Sequence, residues 1–178
     1  MPRDIATLLF PAPLVPAAVL VGLIARDKEW DLLLTRRTEH LPDHPGQISF
    51  PGGRLQSHTE SPLAAALRET HEEVGIAPEF IDVIGYLPPH AVVTGFAVSP
   101  VVAVLRPGFT LKADPREVAE IFRVPLTHVL DPASLVRSER IVRGVTVPVY
   151  ACQFGTHNIW GATAQILKSL REALYETR

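Results

Sequence analysis

Ser61-Pro62-Leu63-Ala64-Ala65-Ala66-Leu67-Arg68-Glu69-Thr70-His71-Glu72-Glu73-Val74-Gly75-Ile76 reads as one helix with its own start and stop. Ser61 suits an N-cap, Pro62 fits the first helical position, and Gly75 stands where a C′ glycine ends a helix. Glu69, Glu72 and Glu73 are spaced i, i+3, i+4, so three carboxylates share one face within a turn. Like charges at that spacing repel, and the helix dipole disfavours anions at its C-terminal end. A sequence that accepts both penalties points to a bound cation. Oxygen-only ligands favour Mg²⁺, Mn²⁺ or Ca²⁺ over Zn²⁺. The alternative is a solvated acidic face. The breaker Pro51-Gly52-Gly53 ahead of the helix tilts the balance, because glycines allow close backbone approach to a ligand.

Outward from the helix the chain is punctuated by 17 prolines into short elements. Ala17–Ala25 and Trp30–Arg37 read as a hairpin across the polar turn Arg26–Glu29. A Pro/His/Gly-rich loop, Leu41–Gly46, leads to a short strand around Gln47–Phe50. Ile81–Leu87 and Phe96–Leu105 read as strands, with Pro100 predicting a bulge or a sheet edge in the second. Ala113–Ile121 reads as a loop with a helical turn. Val145–Phe154 reads as a strand, and a last helix is expected from about Ile159 to Tyr175, capped by Thr156 or Asn158. Many strands with two main helices argue for an α+β fold with a mixed sheet flanked by helices.

The chain has 178 residues, the size of one domain, so residues 1–178 are expected to form a single domain behind a Pro-rich segment, 1–16. Hydrophobic residues are 47%, charged residues 20% and net charge −2, which argues against disorder and against a nucleic-acid footprint. The apolar run from Pro11 to Ala25 is broken by prolines and its clean part is strand-sized, so no membrane partner is expected. The single cysteine, Cys152, excludes a disulfide scaffold and, with the rest, gives a cytoplasmic expectation. Its apolar strand context reads as core packing.

Gly53, Glu60, Arg68-Glu69, Glu72-Glu73 and Gly75-Ile76 resemble the Nudix box, GX5EX7REUXEEXGU. Two departures stand out: six residues rather than five separate Gly53 from Glu60, and Thr70 occupies a position usually aliphatic. Upstream, Leu33-Leu34-Thr35-Arg36-Arg37-Thr38, Leu41, His44, Gly46-Gln47 and Ser49-Phe50-Pro51-Gly52-Gly53 resemble the motif LLT-x-R-S-x-x-L-x-x-H-x-G-Q-x-x-FPGG of the coenzyme A pyrophosphatase branch. That branch tends to carry the longer spacing. Leu87-Pro88-Pro89, Val93-Thr94-Gly95-Phe96, Glu117-Val118, Val124-Pro125-Leu126 and Trp160-Gly161 extend the resemblance to nearly the whole chain.

The resemblance implies a Nudix-type α-β-α sandwich and Mg²⁺- or Mn²⁺-dependent cleavage of a diphosphate. It implies Glu69, Glu72 and Glu73 as metal ligands and Arg68 as the group that fixes their rotamers. The catalytic residues implied are Arg68, Glu72, Glu73, Glu117 and Glu120, with the base for the attacking water either a box glutamate or the loop residue Glu117 or Glu120. Arg37, His44, Gln47, Gly52 and Gly53 are expected to bind substrate, Arg37 by a forked contact to a phosphate. The implied substrate is the small molecule coenzyme A or a derivative, with 4′-phosphopantetheine and adenosine 3′,5′-bisphosphate as products. Other readings stay open: another nucleoside diphosphate derivative, such as ADP-ribose or a dinucleotide, or a non-catalytic Nudix-fold binding module. Monomer and homodimer are both compatible with the sequence.

Overall fold

The computed structural model describes residues 8–10 and 13–176. The expected N-terminal segment thus lies partly outside the described residues. The hairpin forms as β1 (Val15–Arg26) and β2 (Glu29–Arg37), paired antiparallel from Leu23↔Leu32 to Arg26↔Glu29. β3 (Ile48–Ser49) and β4 (Gly52–Arg54) follow, then helix α1 (Pro62–Val74). After it come β5 (Ile81–Tyr86), β6 (His90–Val92), β7 (Phe96–Leu105) and β8 (Val118–Pro125). The chain closes with α2 (Leu126–Leu130), β9 (Leu135–Val142), β10 (Val145–Phe154), β11 (His157–Trp160) and α3 (Ala162–Glu176).

One sheet runs β3-β2-β1-β7-β5, with β4 beside β1, β6 beside β7 and β8 beside β2. Only the β1–β7 pairing in it is parallel, so the sheet is mixed. Alternation along its strands sorts the core into two layers. Ala18, Leu20, Leu33, Val101 and Ala103 pack with Ala65, Ala66 and Val74 of α1. Val21, Leu32, Leu34 and Val102 pack on the opposite side with Ala164, Ile166, Leu167 and Leu170 of α3. The result is the expected α+β, α-β-α sandwich. A second, antiparallel sheet runs β11-β10-β9, and its buried Cys152 and Ile159 join the α3 layer. No helix among the described residues is long and apolar enough to cross a membrane.

Several expectations need correction. Gly52–Arg54 is a strand paired to Ala17–Val19, not only a breaker. Pro100 lies in a central strand rather than at an edge. Its carbonyl accepts from Leu87 N–H (3.2 Å), in the gap between the β5 and β6 pairings, so its missing N–H removes no ladder bond. The irregularity falls in β5, between Val83 and Gly85. The second half of Ala113–Ile121 belongs to β8, which pairs with β2 through Leu34↔Phe122 and Thr35↔Ile121. His157–Trp160 is a strand, so the last helix starts at Ala162 and neither Thr156 nor Asn158 caps it.

Candidate functional site

α1 carries the acidic cluster on a helix closed at both ends. The Ser61 hydroxyl accepts from Ala64 N–H (3.1 Å), and Gly75 ends the helix with φ 78°. Thr70 is fully buried and its hydroxyl donates to the Ala66 carbonyl (2.7 Å), which is how a polar residue sits at an apolar position.

β4 presses directly on this helix. A β-carbon at position 53 would lie 2.5 Å from the Glu69 carboxyl carbon, so the Glu69 carboxylate rests where the β-carbon of any other residue would stand. Gly52 N–H donates to Glu73 Oε2 (3.1 Å). Glu73 is thereby held with 5% of its side chain exposed, and its nearest cation, Arg37, is 3.8 Å away. Burial, above all, pushes the Glu73 carboxyl up to about 8. The charges of Glu69 and Glu117 add to the rise, while Gly52 N–H and Arg37 oppose it. Burial also raises Glu69, against the lowering effect of Arg68 and with help from Glu72 and Glu117.

Arg68 ties the cluster together. Its Nε donates to Glu60 Oε1 (2.9 Å), its Nη1 to Glu69 (2.7 Å) and Glu72 (3.2 Å), and its Nη2 to the Arg54 carbonyl (3.2 Å). Arg68 and the Gln56 N–H hold the Glu60 carboxyl below its ordinary range. Glu72 is half-exposed, so it joins the cluster from the solvent side. Among the described residues no three carboxylates stand converged as a ready ligand set. Arg68 fills the space between Glu69 and Glu72 as their counter-charge. The donors are all hard carboxylate oxygens, two of them raised by burial and mutual repulsion, and that suits a hard divalent cation.

The cluster forms one end of a cavity of about 1050 Å³. Arg37, His44, Gln47, Gly52, Gly53, Arg68, Glu69, Glu72 and Glu117 all line it, and Glu73 lies behind Gly52. Glu120 does not. It borders a separate pocket of about 380 Å³, where its carboxylate accepts from Arg36 Nε (3.1 Å) and lies 3.2 Å from His157 Nε2. The His157 contact, then Arg36, hold its carboxyl low.

Residues 13–143 match the NUDIX domain. The chain belongs to the Nudix family. It is 43% identical over 154 residues to a protein from Enterobacter sp. (strain 638) named Uncharacterized Nudix hydrolase NudL, spanning 86% of this chain and 80% of that one. A namesake from Salmonella newport (strain SL254) is 42% identical over the same shares. Among solved structures, the NUDIX domain of Shewanella oneidensis NrtR complexed with ADP ribose aligns over 98% of this chain and 99% of its own, with TM-score 0.56 and 16% identity. The M. Smegmatis Nudix hydrolase RenU aligns over 66% and 74%, with TM-score 0.55 and 24% identity. Those two likenesses speak for the fold.

The Nudix box thus coincides with the carboxylate end of the cavity. Beyond the box, the cavity contains Arg54 and Arg140, which the sequence reading did not single out. Arg54 stands over the Phe96 ring (5.0 Å) and Arg140 over the Trp160 ring (5.1 Å). Arg54 follows the glycines directly, so its place beside them was a readable signal. Arg140 carries none, because only strand pairing brings it to the cavity.

Proposed function

We propose that this Nudix hydrolase is a divalent-metal-dependent diphosphatase of coenzyme A and its derivatives, with the whole chain acting as one domain. The observation that carries the reading is one cavity shared by two sets of residues. The box carboxylates share it with Arg37, His44 and Gln47, which belong to the motif of the coenzyme A branch. Glu69 and Glu73, with Glu72, are the residues that hold Mg²⁺ or Mn²⁺, which when bound neutralises diphosphate charge and lowers the pKa of water.

Arg68 keeps the Glu69 and Glu72 carboxylates in place through its Nη1 bonds, and Gly52 N–H orients that of Glu73. Glu117 lines the cavity and its charge is felt by Glu69 and Glu73, so its carboxylate is the base that takes the proton of the attacking water. Glu120, engaged by Arg36 and His157 elsewhere, has no such part. Arg37 supplies positive charge beside Glu73 at the diphosphate end. The cavity is large enough for an extended nucleotide-linked substrate.

The test is a screen of purified protein against coenzyme A, ADP-ribose, NADH and nucleoside triphosphates, with products identified by mass. The expected result is adenosine 3′,5′-bisphosphate with Mg²⁺ or Mn²⁺ and none in excess chelator. Faster cleavage of ADP-ribose or NADH than of coenzyme A, or full turnover in chelator, overturns the reading.

A further inference from the structure

Part of the cavity wall comes from the three-stranded sheet. Cross-strand partners share a face, and the registers Arg140↔Val147 and Ala151↔Trp160 put Arg140, Val147, Val149 and Trp160 on the same one. Arg140, Val147, Val149 and Trp160 all line the cavity. The Arg140 side chain crosses β10 to bring its guanidinium 5.1 Å from the centre of the Trp160 ring.

Charge pairing separates Arg140 from the other arginines of the cavity. Arg37 faces Glu73 (3.8 Å), Arg54 faces Asp43 (3.0 Å) and Arg68 faces Glu69 (2.7 Å). Glu139, next to Arg140 in the strand, is engaged by Arg137 (3.3 Å). Among the described residues, Arg140 alone of these four has no carboxylate within ion-pair distance. It is a positive fork held by an aromatic plane, and its charge is left for an anion in the cavity.

We propose that Arg140 and Trp160 form the subsite for the nucleoside end of the substrate, with Trp160 offering an apolar face to the purine and Arg140 reading a phosphate monoester on the ribose. This rests on the reading of the protein as a coenzyme A diphosphatase and assigns the 3′-phosphate of that substrate to Arg140. Arg37, the arginine expected from the sequence to fork a phosphate, is already opposite Glu73 (3.8 Å) at the diphosphate end. A planar guanidinium can give two parallel N–H bonds to phosphate oxygens, and its stacked position limits the freedom lost on binding.

Two measurements test this. The first is the ratio of kcat/KM for coenzyme A to that for 3′-dephospho-coenzyme A, in the wild type and in Arg140→Ala. The ratio should fall roughly ten- to hundred-fold, the loss expected for a charged hydrogen bond. An Arg140→Lys variant, which keeps the charge without the fork, should fall between the two. The second is calorimetric titration in chelator with adenosine 3′,5′-bisphosphate and adenosine 5′-monophosphate. The wild type should prefer the bisphosphate roughly tenfold or more, and Arg140→Ala should lose that preference. Equal losses on both substrates, or a nucleotide preference that survives the substitution, overturn the inference. If no form of coenzyme A is cleaved, the proposed function falls, and the nucleotide preference alone decides the role of Arg140.

Discussion

Glu73→Gln tests the carboxylate cluster without reference to activity. Folding lifts the Glu73 carboxyl from an ordinary 4.5 to about 8, chiefly through burial. The fold therefore favours the protonated carboxyl, and between those values the native state binds a proton that the unfolded state has released. Stability from this group is fully present below about pH 4.5 and is lost as pH rises to about 8, at about 1.4 kcal/mol per pH unit. The side chain is 5% exposed, so solvent screening removes little of this.

Glutamine copies the neutral carboxyl, can accept the Gly52 N–H through its own Oε1, and does not titrate. Its own contact with Arg37 does not change with pH, and the attraction between Arg37 and the ionised Glu73 is already contained in the value of about 8. The unfolding free energy of the variant minus that of wild type should therefore grow by about 3 kcal/mol between pH 4.5 and pH 7. It should level off near 5 kcal/mol above pH 8. The assay is urea unfolding in excess chelator at pH 5, 6, 7 and 8, with equal m-values as the check on two-state behaviour. At pH 8 the gap should also appear as a Tm higher by about 10 °C or more. Adding Mn²⁺ should then stabilise wild type and leave the variant unmoved, since binding to the native state alone raises stability. A difference that stays constant with pH, or wild type gaining stability relative to the variant as pH rises, would refute the account of Glu73.

The two glycines ahead of the helix should respond differently to alanine. At Gly52 a β-carbon meets the Ala18 carbonyl and the Val19 backbone, so Gly52→Ala should cost about 2 kcal/mol or more in urea unfolding. At Gly53 it meets only the far end of the Glu69 side chain and no backbone, so Gly53→Ala should cost under about 1 kcal/mol while weakening Mn²⁺ binding, read by titration calorimetry, about tenfold or more. Glu117→Gln should lower kcat about a hundredfold or more with KM little changed, whereas Glu120→Gln should leave kcat/KM within about twofold.

The catalytic helix was legible in the sequence because everything that makes it is local. Ser61, Pro62 and Gly75 mark its ends within the chain itself, and the glutamate spacing needs only the helical period. β4 was not legible, since Gly52-Gly53-Arg54 has no strand propensity and becomes a strand by pairing with Ala17–Val19. β8 was hidden by charged residues interleaved with Val118, Ile121 and Phe122, which read as a loop until β2 supplies the partner. Glu117 and Glu120 looked equivalent in sequence for the same reason. Strand pairing sends Glu120 to Arg36 and leaves Glu117 at the cavity. Arg140 shows the limit most plainly, because its relation to Trp160 exists only through the register of three strands.

That register has a physical origin which can be broken on its own. β9 and β10 are joined by a two-residue turn, Arg143-Gly144, between the partners Val142 and Val145, with φ 50° and 78°. Positive φ at both central residues is the I′ geometry whose twist matches paired strands, and a slip of one residue would turn Arg140 to the other face. A β-carbon at Gly144 would meet nothing within 4 Å, so a substitution there acts through backbone strain alone. Gly144→Val places a β-branched residue where L side chains are disfavoured by about 1–2 kcal/mol. The strain falls at the hairpin tip, far in sequence from the box and outside both core layers. If the turn holds Arg140 over Trp160, Gly144→Val should lower the preference for coenzyme A over 3′-dephospho-coenzyme A while the variant still cleaves the dephospho form. A variant that loses the expected stability and keeps the full preference would show that Arg140 is positioned by something other than the turn.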